Sequence, residues 1–227
     1  LSLFAGKFQW VFWVSIIPGA LALCSIAIFI KDVRTQTSAQ KPVISFRNLN
    51  RDFAFFLCVV TLFTLGKTTE AFLVLRVQEL GVSLAVIPLL YLTFNLVSAA
   101  CAIPSGVVAD RVGKRRTIIT SYMVFAAVYA GFAYANNHIH GWLLFLGYGI
   151  FVALNEGVQR AYVATVVKPE FMATGYGMYH TVIGIAALPS SIIGGALWQY
   201  FGSKALFLYG TTLALVASFL FILFLRK

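Results

Sequence analysis

Four ionisable residues interrupt otherwise apolar stretches of the sequence, in two pairs: Lys67 with Glu70, and Glu156 with Arg160. A spacing of three or four residues brings two side chains to one face of an α-helix, and glutamate four residues before arginine is the favourable order. A carboxylate beside a cation in apolar surroundings can exchange a proton, hold an ion of either sign, or simply neutralise its neighbour. Asn95 and Asn155 add neutral hydrogen-bonding groups in similar surroundings. His180, close to Tyr176 and Tyr179, can carry a proton near neutral pH, although a hydrogen-bonded core histidine is the more ordinary reading and the one favoured. His138 and His140 flank a short turn and are too few for a metal site, so no metal is expected. Cys24, Cys58 and Cys101 lie far apart within apolar runs and read as packing residues. No phosphate-binding glycine loop or catalytic triad accompanies them, so neither an enzyme, a cofactor nor a nucleotide-driven pump is expected.

The elements that must hold these groups follow from composition. Hydrophobic residues make up 60% of the 227 and charged ones only 11%, against about 25% charged in soluble domains. The 35 aromatic residues exclude disorder, and the 24 charged ones are too few to cover a soluble globule. A polytopic membrane protein remains, with the lipid bilayer as its first partner. A hydrocarbon layer about 30 Å thick needs roughly 20 apolar residues in a helix. Seven runs reach that length: 8–30, 53–76, 83–108, 117–135, 141–165, 174–200 and 204–225. They are continuous rather than alternating, so helices are expected and barrel strands are not.

The net charge of +10 would suggest nucleic acid in a soluble protein, but the basic residues are confined to segments between apolar runs. Lys31, Arg34, Lys41, Arg47, Arg51, Arg111, Lys114, Arg115, Arg116, Lys168, Arg226 and Lys227 fall on one side of the membrane, and only Lys7, Arg76 and Lys204 on the other. Twelve against three places the C-terminus in the cytoplasm and residue 1 outside, with no nucleic-acid partner. Arg76 is expected to snorkel to the external headgroups beside Glu79. The polar segment 31–52 is the one long connection and reads as a cytoplasmic linker, with an interfacial turn around 43–49. Leu1 opens the chain without the charged start and cleavage site of a signal peptide, so a trimmed chain is expected.

The turn between the third and fourth runs reads Gly106-Val-Val-Ala-Asp110-Arg111-Val-Gly113-Lys114-Arg115-Arg116. Gly106 would let a neighbouring helix approach, and Gly113 would supply the turn. Asp110, near a helix C-terminus where the dipole disfavours an anion, should need a cationic or N-terminal partner. The basic cluster should anchor at anionic headgroups. The whole stretch resembles the signature loop of the major facilitator superfamily, G-x-x-x-D-R-x-G-R/K-R, with every signature position filled. Arg76-Val-Gln-Glu79-Leu-Gly81 and Asn155-Glu156-Gly157-Val-Gln-Arg160 also look like a broad bacterial group of these transporters, many of them drug exporters.

The resemblance implies an all-α membrane protein of seven transmembrane helices. Residues 1–30 would be the last helix of an N-terminal bundle and 31–52 the central cytoplasmic linker. Residues 53–227 would form a C-terminal six-helix bundle of two inverted three-helix repeats. Five further helices of the same protein would precede Leu1 as its missing partner. Each charged pair then lies on the first helix of a triplet, where corresponding polar interruptions point to a transport site. Lys67, Glu70, Asn95, Asn155, Glu156, Arg160 and His180 are therefore the expected substrate and proton pathway. Gly106, Asp110, Arg111, Gly113, Lys114, Arg115 and Arg116 are the expected gating loop.

The function implied is secondary transport by alternating access in a bacterial inner membrane, driven by a proton gradient. Export of small amphipathic compounds leads, and import of a small anionic metabolite is the alternative. A half-length membrane receptor or assembly subunit is the reading of another class. A retinal protein fits less well, because Lys204 opens the last run instead of lying deep within it. Along the sixth run Ala187, Ser191 and Gly195 share one stripe, with Ser190 and Gly194 beside it, which suggests tight helix packing with a bend at Pro189.

Overall fold

The computed structural model describes residues 50–225, together with Ile16, Ile17, Gly19, Ala20, Leu21, Cys24 and Ser25. The chain divides into two compact units, Leu1–Val43 and Ile44–Lys227. The expected span 8–30, nearly all of the linker 31–52 and the turn at 43–49 lie outside the described residues. Those described in the first unit are helical, and the Ser25 hydroxyl donates to the Leu21 carbonyl at 2.8 Å.

The second unit is built from helices α1 Arg51–Gly66, α2 Ala71–Glu79, α3 Ile87–Val112, α4 Lys114–Tyr134, α5 His138–Val166, α6 Met172–Phe201 and α7 Ser203–Leu225. Single 3-10 turns, Leu84–Val86 and Pro169–Phe171, lead into α3 and α6. With α1 and α2 taken together, six stretches among the described residues are long and apolar enough to cross a membrane: Arg51–Glu79, Leu84–Val112, Lys114–Tyr134, His138–Val166, Pro169–Phe201 and Ser203–Leu223. They match the later six expected spans and mostly run a few residues further, because hydropathy trims charged ends that still form helix. Arg111 belongs to the last turn of α3, and Lys114, Arg115 and Arg116 open α4. Only Gly113 separates the two helices. Its φ of +102° lies in the left-handed region that glycine alone enters without strain, so the expected turn is present.

The second expected span is not one continuous helix. It stops at Gly66 and restarts at Ala71, leaving Lys67–Glu70 unwound. The break lies at a close crossing with α7: a Cβ on Gly66 would lie 2.8 Å from the Leu213 Cβ, and a Cβ on Gly210 only 2.7 Å from the Gly66 carbonyl oxygen. Unwinding frees backbone groups, and neighbouring helices take some of them up, as non-helical backbone within a membrane requires. The Ser190 hydroxyl of α6 donates to the Lys67 carbonyl at 3.2 Å, and the side-chain hydroxyl of buried Thr68 adds a hydrogen bond with the Tyr129 hydroxyl of α4 at 3.3 Å.

Helix α4 lies at the centre, packed against both α5 and α7, while α3 packs on α5, and α1 on α6 and α7. The core is aromatic. Phe63 stacks on Tyr122, and Phe125 on Tyr129, each pair with ring centroids 3.9 Å apart, and Phe151 packs at a tilt against Phe63 and Phe125. Such rings supply large buried area with defined geometry, which suits a bundle whose helices gain little from the hydrophobic effect in lipid. Helices α3 and α6 leave broad apolar faces uncovered, including Leu92, Leu96 and Ile103 on one and Leu188 and Ile192 on the other.

Arg76 is held within the protein, beside Glu79 as expected. Its guanidinium donates to the Phe132 and Ala135 carbonyls at 3.0 and 2.9 Å, to Glu79 Oε2 at 2.8 Å and to Ser203 Oγ at 3.1 Å. Ser203 Oγ in turn donates to the same Glu79 oxygen at 2.8 Å. The side chain is only 14% exposed, so it joins α2, the end of α4 and the start of α7 instead of reaching outward.

Candidate functional site

The break in the first span opens onto a cavity of about 630 Å³ walled by α1, the unwound segment, α5 and α6. Six of the seven expected pathway residues line it: Lys67, Glu70, Asn155, Glu156, Arg160 and His180. Lys67 and Glu156 stand near the middle of their spans, as a midplane site requires. Asn95 is the exception. It lies exposed on α3, and its amide donates to the Tyr91 carbonyl one turn back at 2.8 Å, away from this cavity. The helix buries Leu90 and Phe94 instead, so the neighbouring asparagine is carried to the uncovered side.

The charged groups do not form the expected pairs. Lys67 and Glu70 share no helix face, because both belong to the unwound segment. Lys67 follows the C-terminus of α1, and Glu70 precedes the N-terminus of α2. The Lys67 ammonium lies 5.6 Å from the Phe151 ring centroid, and Glu70 accepts a long hydrogen bond, 3.4 Å, from the Tyr148 hydroxyl. Glu156 and Arg160 lie on one face of α5 and are exposed to the cavity, but Arg160 Nε donates to the Glu156 backbone carbonyl at 3.2 Å and not to its carboxylate. Among the described residues, the one side-chain ion pair within 4.0 Å is Arg76 with Glu79. His180 is likewise not a buried core group: it is exposed to the cavity, with its ring set edgewise on Tyr179 at 5.0 Å.

Behind the charges Asn155 joins a buried polar network whose hub, Gln159, was not among the expected site residues. Asn155 Oδ1 accepts from Ser121 Oγ at 3.1 Å and from Gln159 Nε2 at 2.8 Å. Gln159 Nε2 also donates to the Tyr122 hydroxyl at 3.1 Å, while its carbonyl oxygen accepts from the Tyr179 hydroxyl at 2.7 Å. One glutamine thereby joins α4, α5 and α6 beside the cavity. Its signal was the four-residue spacing from Asn155, which marks a second polar stripe next to Glu156 and Arg160. Thr68 and Tyr148 carried no such signal, since their roles exist only through residues on other helices.

On α6 the two small-residue stripes separate. Ser190 and Gly194 pack on the unwound segment, where a Cβ on Gly194 would approach the Thr68 methyl to 2.8 Å. Ala187 and Ser191 face the cavity, whereas a Cβ on Gly195 would meet nothing within 4 Å.

The signature segment forms a second hollow of about 500 Å³, lined by Asp110, Gly113, Lys114, Arg115, Arg116 and Tyr162 among others. Arg115 Nε donates to the Tyr162 hydroxyl at 3.1 Å, tying the start of α4 to α5. Gly106 does not accommodate a close helix among the described residues, since a Cβ there would meet nothing within 4 Å. Arg111 and Asp110 are exposed, and among the described residues Asp110 makes no ion pair.

A family model described as Major Facilitator Superfamily matches residues 55–227. An uncharacterized MFS-type transporter of Methanocaldococcus jannaschii is 32% identical over 224 residues, which is 94% of this chain and 55% of that protein. The multi-drug resistance efflux pump PmrA of Streptococcus pneumoniae is 26% identical over 162 residues, 69% of this chain and 40% of the pump. The chain thus spans about half the length of the curated relatives it matches.

Proposed function

Since the chain belongs to the major facilitator superfamily, we propose that its cavity is one wall of a transport site that exports small amphipathic compounds in exchange for protons, by alternating access. One observation carries this reading: two carboxylates, two cations and a histidine converge on a single cavity at a helix break, and no two of the four charges form an ion pair within 4.0 Å. Ionisable groups at membrane depth are costly and are retained for ion or substrate pathways. Glu70 and Glu156 are the proton carriers in this reading. Protonating either removes a negative charge from the cavity and leaves Lys67 or Arg160 in excess, which changes the relative stability of the inward- and outward-open arrangements.

The packing supports two related triplets, α1/α2–α3–α4 and α5–α6–α7. Exchanging the triplets converts the α3–α5 contact into α6–α1 and the α4–α5 contact into α7–α1, and leaves α4–α7 unchanged. Rocking of this bundle against a second one about the cavity is the motion such repeats permit. The efflux pump among the relatives favours export, and Phe63 and Ile183 give the cavity an apolar wall for an amphipathic body. Lys67 and Arg160 favour a second reading, import of a small anionic metabolite.

The deciding experiment is flux through the full-length protein in liposomes, with and without an imposed pH gradient. Proton-dependent efflux of amphipathic dyes, lost in Glu70→Gln and Glu156→Gln, is expected. Gradient-driven uptake of small carboxylates without dye efflux would establish the importer instead.

A further inference from the structure

We infer that the ligand of this cavity is a zwitterion, a small molecule bearing an ammonium and a carboxylate together with an apolar body. This inference rests on the transport reading above and specifies its substrate class.

The positions of the charges carry the argument. Lys67 stands just past the C-terminus of α1, where the helix dipole favours a cation, and Glu70 just before the N-terminus of α2, where it favours an anion. The same four-residue break thus places one charge of each sign at a helix end of complementary polarity, without an ion pair between them. Across the cavity Arg160 spends Nε on its own helix, and its two terminal nitrogens, the fork that suits a carboxylate, make no bond within the described residues. The Glu156 carboxylate likewise makes none, and Glu70 has only the long Tyr148 contact. Both signs are thus presented to one space on this wall, two cations and two carboxylates. A ligand of single charge would answer groups of only one sign on this wall, whereas a zwitterion lets each of its ends displace water onto an opposite partner. The cavity volume, about 630 Å³, lies within the ordinary range for small-molecule sites, and Phe63 and Ile183 cover the apolar part.

The test uses two charge-deletion series on fixed skeletons, bound to the purified full-length protein in lipid nanodiscs near neutral pH. One is phenylalanine, phenethylamine and hydrocinnamate; the other is phenylalanyl-phenylalanine, its amide and its N-acetyl derivative. In at least one series the zwitterion should bind about tenfold or more tightly than both singly charged relatives. Arg160→Gln should erase that advantage over the cation, and Glu70→Gln the advantage over the anion, with thermal stability unchanged. Equal affinity across both series, preference for a singly charged compound, or no binding of any probe would each overturn the inference. Gradient-driven flux separates it from the broader reading. A cation carried in preference to its zwitterion overturns the inference and leaves proton-coupled transport standing. Zwitterion-selective binding without any proton-dependent flux upholds the inference and removes the coupling.

Discussion

Arg76 and Ala135 are joined by a 2.9 Å hydrogen bond from Nη2 to the carbonyl oxygen, across 59 residues of sequence. The bond closes a network that ties α2 to the end of α4 and, through Ser203 and Glu79, to the start of α7. Glu70 stands just before the start of α2, so this network anchors the short helix that carries the carboxylate to the cavity. Replacing Arg76 with Met should cost about 1–3 kcal/mol of stability, because two carbonyls lose a charged donor and Glu79 loses its cation. Lysine should restore little, since an ammonium cannot reproduce the fork that reaches several acceptors. Wild-type melting of the Met variant in detergent would show that the network is incidental.

The crossing at Gly66 and Gly210 gives a packing prediction. Gly210→Ala would place a methyl 2.7 Å from the Gly66 carbonyl oxygen and 2.6 Å from the Tyr129 ring, and backbone on one side cannot yield. A loss of about 1–3 kcal/mol is expected, as for other overpacked cores. Gly195→Ala, which meets nothing within 4 Å, is the control and should melt like the parent protein.

Glu156 and Arg160 share a helix face without a side-chain ion pair, so their contributions to stability should be nearly independent. In a double-mutant cycle with Gln and Met, the coupling energy should stay below about 0.5 kcal/mol. Transport should nevertheless fail in each single variant and in the folded double variant. Recovery of both stability and flux in the double variant would identify the two residues as mutual neutralisers.

Membrane orientation can be read with reporters. A fusion after Arg116 should report the cytoplasm and one near Asn137 the exterior, because the basic residues gather at the former end. The inverse labelling would reject the orientation inferred from the basic residues.

Asp110 lies on the second hollow and lines no part of the larger cavity. Asp110→Ala should therefore slow conformational exchange, followed by spectroscopic labels on α3 and α5, while substrate affinity stays within a few-fold of wild type. A large affinity loss with unchanged exchange would assign the residue to binding.

The bilayer setting, the six described spans, the turn at Gly113 and most of the polar residues of the site were legible in the residues themselves. Each of these depends on local quantities: the length of an apolar run, the permissive backbone of one glycine, the cost of a charge inside such a run. Helical spacing predicted paired charges only on the assumption that the helix is continuous. For Glu156 and Arg160 it is, and they do share a face, yet Arg160 turns to a backbone carbonyl. For Lys67 and Glu70 it is not: the helix breaks just past Gly66, where α7 crosses closely at Gly210, more than 140 positions away. Tertiary packing also tied Arg76 into a network with α4 and α7, opened His180 to the cavity and carried Asn95 away from it. Gln159 became the link among three helices for the same reason, since its partners Tyr122 and Tyr179 meet it only when α4, α5 and α6 assemble. Local chemistry chose which groups the membrane would contain; contacts between residues distant in the chain decided which of them face one another.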